Sequence, residues 1–334
     1  MKTEVNIKAI AEALNVSIST VSRALRNNPR IGVKTKERVL AKAAELKYVA
    51  NPATMFLHGK NTNVVGVIVP SLSEEFFFSV IKHLEDEVES EGYSIFVVQS
   101  RDEKLRQNNA IDLFLKYRVD GIVVSLAAET NNYEKFKKVE DFGIPVVFFD
   151  RVPRSFSSHQ IKCGIEQGAK ETMAFLKAKN RKKIALINGP SNLAASDDRL
   201  NGYLKGLKEL NMFSSPTLIK SCDLTKTSAA EAMKSLLLQE IVPDAVFTFN
   251  DYVALYAMQE CKKNNIAPNK DILFSSYANL PITTLMDNPP LTSVEQFPDK
   301  IGIETANLLL SLMKEGADIK NHQSIVVETK LVVH

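Results

Sequence analysis

No apolar run in this 334-residue chain approaches the roughly 18 residues that a helix needs to cross a bilayer, which leaves no candidate transmembrane segment. The opening MKTEVNIKAIAEALNVS breaks every apolar pair with Asn, Lys or Glu and so lacks the apolar core of a signal peptide. Cysteine is scarce. Cys163, Cys222 and Cys261 are odd in number and form no C-x-x-C, which argues against a disulfide framework or zinc knuckle and for reduced thiols in a cytoplasmic protein. His58, His83, His159, His322 and His334 fall at no metal-ligand spacing. The P-loop and the G-x-G-x-x-G, H-E-x-x-H and G-x-S-x-G motifs are all missing. We therefore expect no cofactor, no metal and no enzyme. The acidic run Glu85, Asp86, Glu87 and Glu89 reads as a solvated helix face.

What is present is an ordinary globular composition with a hidden asymmetry. The chain is 45% hydrophobic, with 42 Lys+Arg against 39 Asp+Glu, which excludes global disorder. The length suits two or three domains. Residues 1–60, however, carry eleven Lys/Arg and only Glu4, Glu12, Glu37 and Glu45, a net +7, and the remainder is −4. A basic head on a mildly acidic body points to an anionic polymer as the partner of the head alone.

Apolar spacing in the head is helical: Ile7, Ile10, Ala11 and Leu14, then Val21, Ala24 and Leu25, then Val39, Ala43 and Leu46. Asn6 can cap the first helix, Asn15 suits a left-handed turn, Ser17 can cap the second helix and Gly32 can begin the third. Three short helices with a three-residue turn between the first two describe a helix-turn-helix. The second helix of such a motif enters the major groove by its N-terminal end. Ile18 and Ser19 would then meet base edges, and Arg23 could make a bidentate contact to guanine. Thr20 and Ser22, with the surrounding lysines, would hold phosphates, and Ser17 belongs to the same DNA-binding end as its cap.

The ordered run VSISTVSRAL, TKERV and AELKYVANP resembles the DNA-binding headpiece of the LacI/GalR family of bacterial repressors. The chain departs from it at Asn15, where Gly or Ala is usual, and at Gly32, where a capping Ser is common. Asn51-Pro52 can start a two-turn helix over Ala53 to His58, too short to be stable alone. The resemblance implies that this hinge orders on DNA, pairs with its dimer mate and inserts Leu57 into the minor groove, with Asn51 at its start. Apolar wedges of that kind kink DNA.

From Val64 onward, short Val/Ile/Phe runs (64–69, 94–99, 121–125, 145–150, 183–188, 245–250 and 272–276) alternate with amphipathic stretches. That pattern means parallel sheets covered on both faces. Two series, broken near 155–163, give an α/β fold: a helix-turn-helix headpiece followed by two doubly wound parallel-sheet lobes. The expected division is 1–50 for the headpiece, 51–63 for hinge and linker, 64–163 with 294–322 for the first lobe, and 164–293 with 323–334 for the second. Ligands bind such folds at the carboxyl ends of the strands.

DRLNGYLKGL, FTFNDYVALYAM and PPLTSVEQF resemble the family's effector-binding core, itself similar to periplasmic sugar-binding proteins. The resemblance implies effector contacts at Asp150, Arg199 and Asn250, with Phe76 offering an apolar face to a sugar ring. Three stretches depart from it, one of them Lys179-Asn180 where Gly-His is usual. Ala278 stands where an effector-holding Asp is usual, and Cys163-Gly164 replaces polar ligand groups. The expected function is a cytoplasmic transcriptional repressor that binds a near-palindromic operator as a homodimer, with a carbohydrate-like small molecule bound between the lobes. No leucine heptad follows the final LVVH, so a tetramer is not expected.

Overall fold

The computed structural model describes residues 6–25, 27–48, 62–314 and 318–334, in two compact units, 1–62 and 63–334. In the first unit, α1 is Ile7–Leu14, α2 is Ile18–Leu25 and α3 is Val33–Glu45. Asn6 caps α1 by accepting from the Ala9 amide at 3.1 Å, and Asn15 ends it in the left-handed region at φ 52°. Gly32 opens α3 without a side-chain cap. Ile10, Ala11, Val21, Ala24, Val39 and Ala43 are buried together, which is the three-helix core expected from the spacing. Lys36 ties the turn before α3 by donating to the Asn27 carbonyl and side chain at 3.1 and 2.7 Å.

The second unit holds two six-stranded sheets. The first runs in the order Ser324–Val327, His159–Cys163, Val146–Phe149, Gly121–Val124, Val64–Val69, Ser94–Gln99, parallel throughout. The second runs Lys330–Val333, Thr292–Glu295, Leu273–Tyr277, Ala245–Thr248, Ile184–Asn188, Ile219–Ser221, and only its first pair is antiparallel. Each sheet is buried on both faces, which is why its strands read as continuous apolar runs. Glu75–Ser90 and Pro298–Leu312 cover one face of the first sheet, and Lys104–Tyr117 and Glu134–Asp141 the other. On the second sheet, Ile165–Ala178 and Ala194–Glu209 cover one face and Lys226–Leu237 and Asp251–Lys263 the other.

The sheets move two of the expected lobe boundaries. Val294 and Glu295, assigned by sequence to the first lobe, pair in the second sheet, and Ser324–Val327, assigned to the second lobe, pairs with His159–Cys163 in the first. The chain thus passes between lobes at Gly164, at Gln296–Phe297 and at Glu328–Thr329. Those crossings carry no turn signature, and a short apolar strand reads alike in either sheet, because its partner is fixed by tertiary packing. The hinge expected over 51–63 lies outside the described residues except for 62 and 63. The crossings leave the carboxyl ends of strands, where a doubly wound fold places its ligands.

Candidate functional site

The headpiece presents one polar helix end. Ser17 Oγ accepts the Thr20 amide at 3.0 Å, so Ser17 is the N-cap of α2, and its hydroxyl also lies 2.8 Å from both Ser19 Oγ and Thr20 Oγ1. Val21 and Ala24 turn inward. Ile18, 48% exposed, Ser19 and Arg23 are left on the outer side, with Ser22 half-buried beside them. Asn51 and Leu57 lie outside the described residues.

The cleft between the lobes contains a cavity of 610 Å³. Asp150, Arg154, Lys162 and Cys163 line it from the first lobe, and Ala194 and Asp198 from the second. Asp150 follows the strand Val146–Phe149 in a left-handed conformation, φ 56°. Burial pushes its carboxyl above the usual range, opposed by Arg151 and Arg199. Asp198 is raised for the same reason, against Arg154 and Arg199. The Cys163 thiol, half-buried and weakly contacted by Gln296 at 3.6 Å, is pushed up by desolvation to about 12 and is therefore not a thiolate.

Arg154 is the bridge. Its Nη1 lies 3.0 Å from Asp197 Oδ2, and its Nη2 lies 3.2 Å from the Ala194 carbonyl and 3.7 Å from Asp198. Arg151 pairs with Asp102 rather than with its neighbour Asp150, under the Phe77 ring.

The four expected ligand residues do not converge. Asp150 alone lines the cavity. Arg199 is 3% exposed, sandwiched between the rings of Phe249 and Tyr277 at 4.1 and 4.3 Å, and it reaches Asp150 only through its field. Desolvated cation–π contacts of this kind are worth on the order of 2 kcal/mol. Asn250 spends its side-chain oxygen capping Asp251–Lys263, at 3.0 Å from the Val253 amide. Phe76 lines a different groove, of 460 Å³, beside Ala278, Asn279 and Glu295.

Sequence reasoning also passed over Asp251, fully buried, whose carboxylate accepts from Ser276 Oγ, from Ser293 Oγ at 2.7 Å and from the Leu280 amide at 2.7 Å. It pins the turn that carries Ala278, at φ 93°, and Asn279, at φ 49°. Its only signal was its place beside Asn250 at a helix start. Among the described residues no three metal-binding side chains come together, and no helix is long and apolar enough to cross a membrane.

Residues 6–51 match the family described as bacterial regulatory proteins, lacI family, and residues 62–330 match periplasmic binding proteins and sugar binding domain of LacI family. The HTH-type transcriptional repressor PurR of Histophilus somni is 27% identical over 328 residues, 98% of this chain and 97% of that protein. The ribose operon repressor of Bacillus subtilis is 28% identical, covering 92% of each chain. Among solved structures, the lac repressor dimer bound to operator and an anti-inducer superimposes with a TM-score of 0.85 at 25% identity, covering 99% of this chain and 98% of that one.

Proposed function

The chain belongs to the lacI family of bacterial regulatory proteins, and on that premise we propose that it represses transcription from a near-palindromic operator as a homodimer, under the control of a small molecule bound between its lobes. It is a DNA-binding transcriptional regulator with an effector-binding core. One observation carries the reading: a capped, exposed Ile18–Ser19–Arg23 helix end and a charged interlobe cavity occur in a single chain. A sugar or sugar derivative is the class of effector that the matched family description supports. Asp150 supplies a hydroxyl acceptor, and Arg199 offsets its charge through space. Thr20 and Ser22 hold phosphates, with Ser17 capping their helix at the interface, and Ile18, Ser19 and Arg23 read bases; Asn51 and Leu57 continue the interface into the minor groove.

Selection from random-sequence DNA tests this. A palindromic motif should emerge with the full chain and vanish when residues 1–60 are removed, and no enriched motif would refute the regulator reading. Arg23→Ala should relax preference at one position per half-site, a discrimination of about 1–3 kcal/mol. A uniform loss of affinity would reassign Arg23 to a phosphate. A second reading, regulation without an effector, is favoured by Ala278, whose side chain offers no hydrogen bond, and by the enclosure of Arg199. A thermal-shift screen of sugars and sugar acids separates the two, since a bound ligand raises stability by mass action.

A further inference from the structure

One stretch of chain walls the interlobe cavity on its outer side. Residues 152–157, which join the strands Val146–Phe149 and His159–Cys163, all line it, and Arg154, Ser155 and Ser157 of the same stretch are exposed to solvent. The wall there is one chain thick. The first lobe seats this strap at three points. The Gln160 amide donates to the Pro153 carbonyl at 3.1 Å, Phe156 stacks on Tyr133 with ring centroids 5.7 Å apart, and Ser157 Oγ lies 2.9 Å from His322 Nδ1.

Toward the second lobe the strap sends Arg154. Its guanidinium crosses the cleft to the first turns of Ala194–Glu209, where it donates to the Ala194 carbonyl and to Asp197 and faces Asp198. Among the described residues these are the only ion pairs that join the two lobes. Arg154 and Ala194 also line a smaller cavity of 190 Å³, so the contact stands where two cavities of the cleft adjoin. Otherwise the lobes are tied by the three chain crossings, and connections of that kind allow hinge closure. An ion pair exposed to this degree adds little to folding stability. The same small contribution shifts a balance between open and closed lobes several-fold when the two states lie close in free energy.

We propose that Arg154 is an interlobe latch. In the ligand-free chain it draws the 152–157 strap onto the second lobe, holds the cleft closed and sets how fast a ligand enters and leaves the cavity. Entry then depends on ionic strength, because salt screens the exposed pairs that keep the cleft shut. The regulatory meaning of the latch rests on the reading of the cleft as an effector site.

The test needs no ligand, because Cys163 lines the cavity whereas Cys222 and Cys261 are buried in the core of the second lobe. The full-length chain is treated with methyl methanethiosulfonate, a small neutral thiol reagent, and modification of each cysteine is followed by mass spectrometry. Arg154→Ala should speed modification of Cys163 by about three- to fivefold and leave Cys222 and Cys261 protected. Loss of a nearby cation by itself disfavours the thiolate, so a faster reaction reports access. Asp197→Asn with Asp198→Asn should have a similar effect from the other side of the cleft, and adding Arg154→Ala to that pair should add little. Raising the salt concentration should speed the wild type and not Arg154→Ala. Equal Cys163 rates in wild type and variants, additive effects of the two sides, a wild-type rate indifferent to salt, or modification of all three cysteines at one rate each overturn the latch. None of these outcomes touches the effector reading, which stands or falls with the thermal-shift screen.

Discussion

In the headpiece, the side chains aimed at a partner come from one short helix: Ile18, Ser19 and Arg23 stand on the exposed side of Ile18–Leu25, fixed by the cap at Ser17. In the body, Asp150, Lys162, Asp198, Arg199, Phe249 and Tyr277 come from five separate stretches of both lobes and meet only through the fold. The headpiece spends little burial on this, with six buried apolar residues around one small core, whereas the body carries four large clusters. A local site can be built on a small core because helix geometry alone sets the spacing of its residues. A composite site needs a large core, since each participant is placed by different packing.

The sharpest break of this comparison is Ala24→Asp. Ala24 is fully buried in the headpiece, and an unpaired buried carboxylate costs more than so small a core supplies. Specific DNA binding should vanish in a mobility-shift assay while the body's calorimetric transition stays where it was. A shift of that transition as well would show that the two units do not stand apart.

A smaller effect probes the body. Glu140 meets His322 at 3.7 Å, and His322 lies edge-on to the buried His159, so three distant segments build one cluster. Burial pushes the Glu140 carboxyl up to about 7, with Asp141 adding and Lys320 opposing. In the unfolded chain it titrates near 4.5, so the folded state holds the proton longer. Stability contributed by this group is present below pH 4.5 and declines as the pH rises to about 7, where the loss is complete. Glu140→Gln should flatten that slope and raise stability above pH 7 by on the order of 1–3 kcal/mol, measured by urea titration at several pH values. An unchanged slope would place the proton elsewhere.

The smallest test returns to the local site. Ser17→Ala removes the cap of the second helix and should cost the headpiece about 1 kcal/mol, with a matching loss of operator affinity and no change in the body. A larger loss of affinity than of stability would assign the Ser17 hydroxyl a DNA contact of its own.

The same contrast governs what could be read in the sequence. The caps at Asn6 and Ser17, the left-handed Asn15 and the three helix faces were legible because each depends on residues within four positions. The parallel strands were legible from their apolar runs. The crossing at Gln296–Phe297 and the sheet to which Ser324–Val327 belongs were not, since neither depends on local spacing. At the candidate ligand site, Asp150 could be placed by its strand end. The enclosure of Arg199 depends on Phe249 and Tyr277, 50 and 78 positions further along, and Arg154 finds Asp197 only across the cleft. Arg154 carried no sequence signal beyond its charge, and Asp251 only its place beside Asn250 at a helix start.

The first lobe begins at Val64 but takes its helix Pro298–Leu312 and its edge strand Ser324–Val327 from the end of the chain. Ile301, Ala306, Leu308, Leu309 and Leu312 share one side of its core with Phe77, Val80, Ile81, Leu84 and Val88. On the ribosome, then, the lobe that is started first is completed only near the end of the chain. Most of the second lobe must be made in between, at about 5–20 residues per second. For on the order of ten seconds the nascent first sheet stands with Val65, Val67 and Val69 covered on that side by Glu75–Ser90 alone.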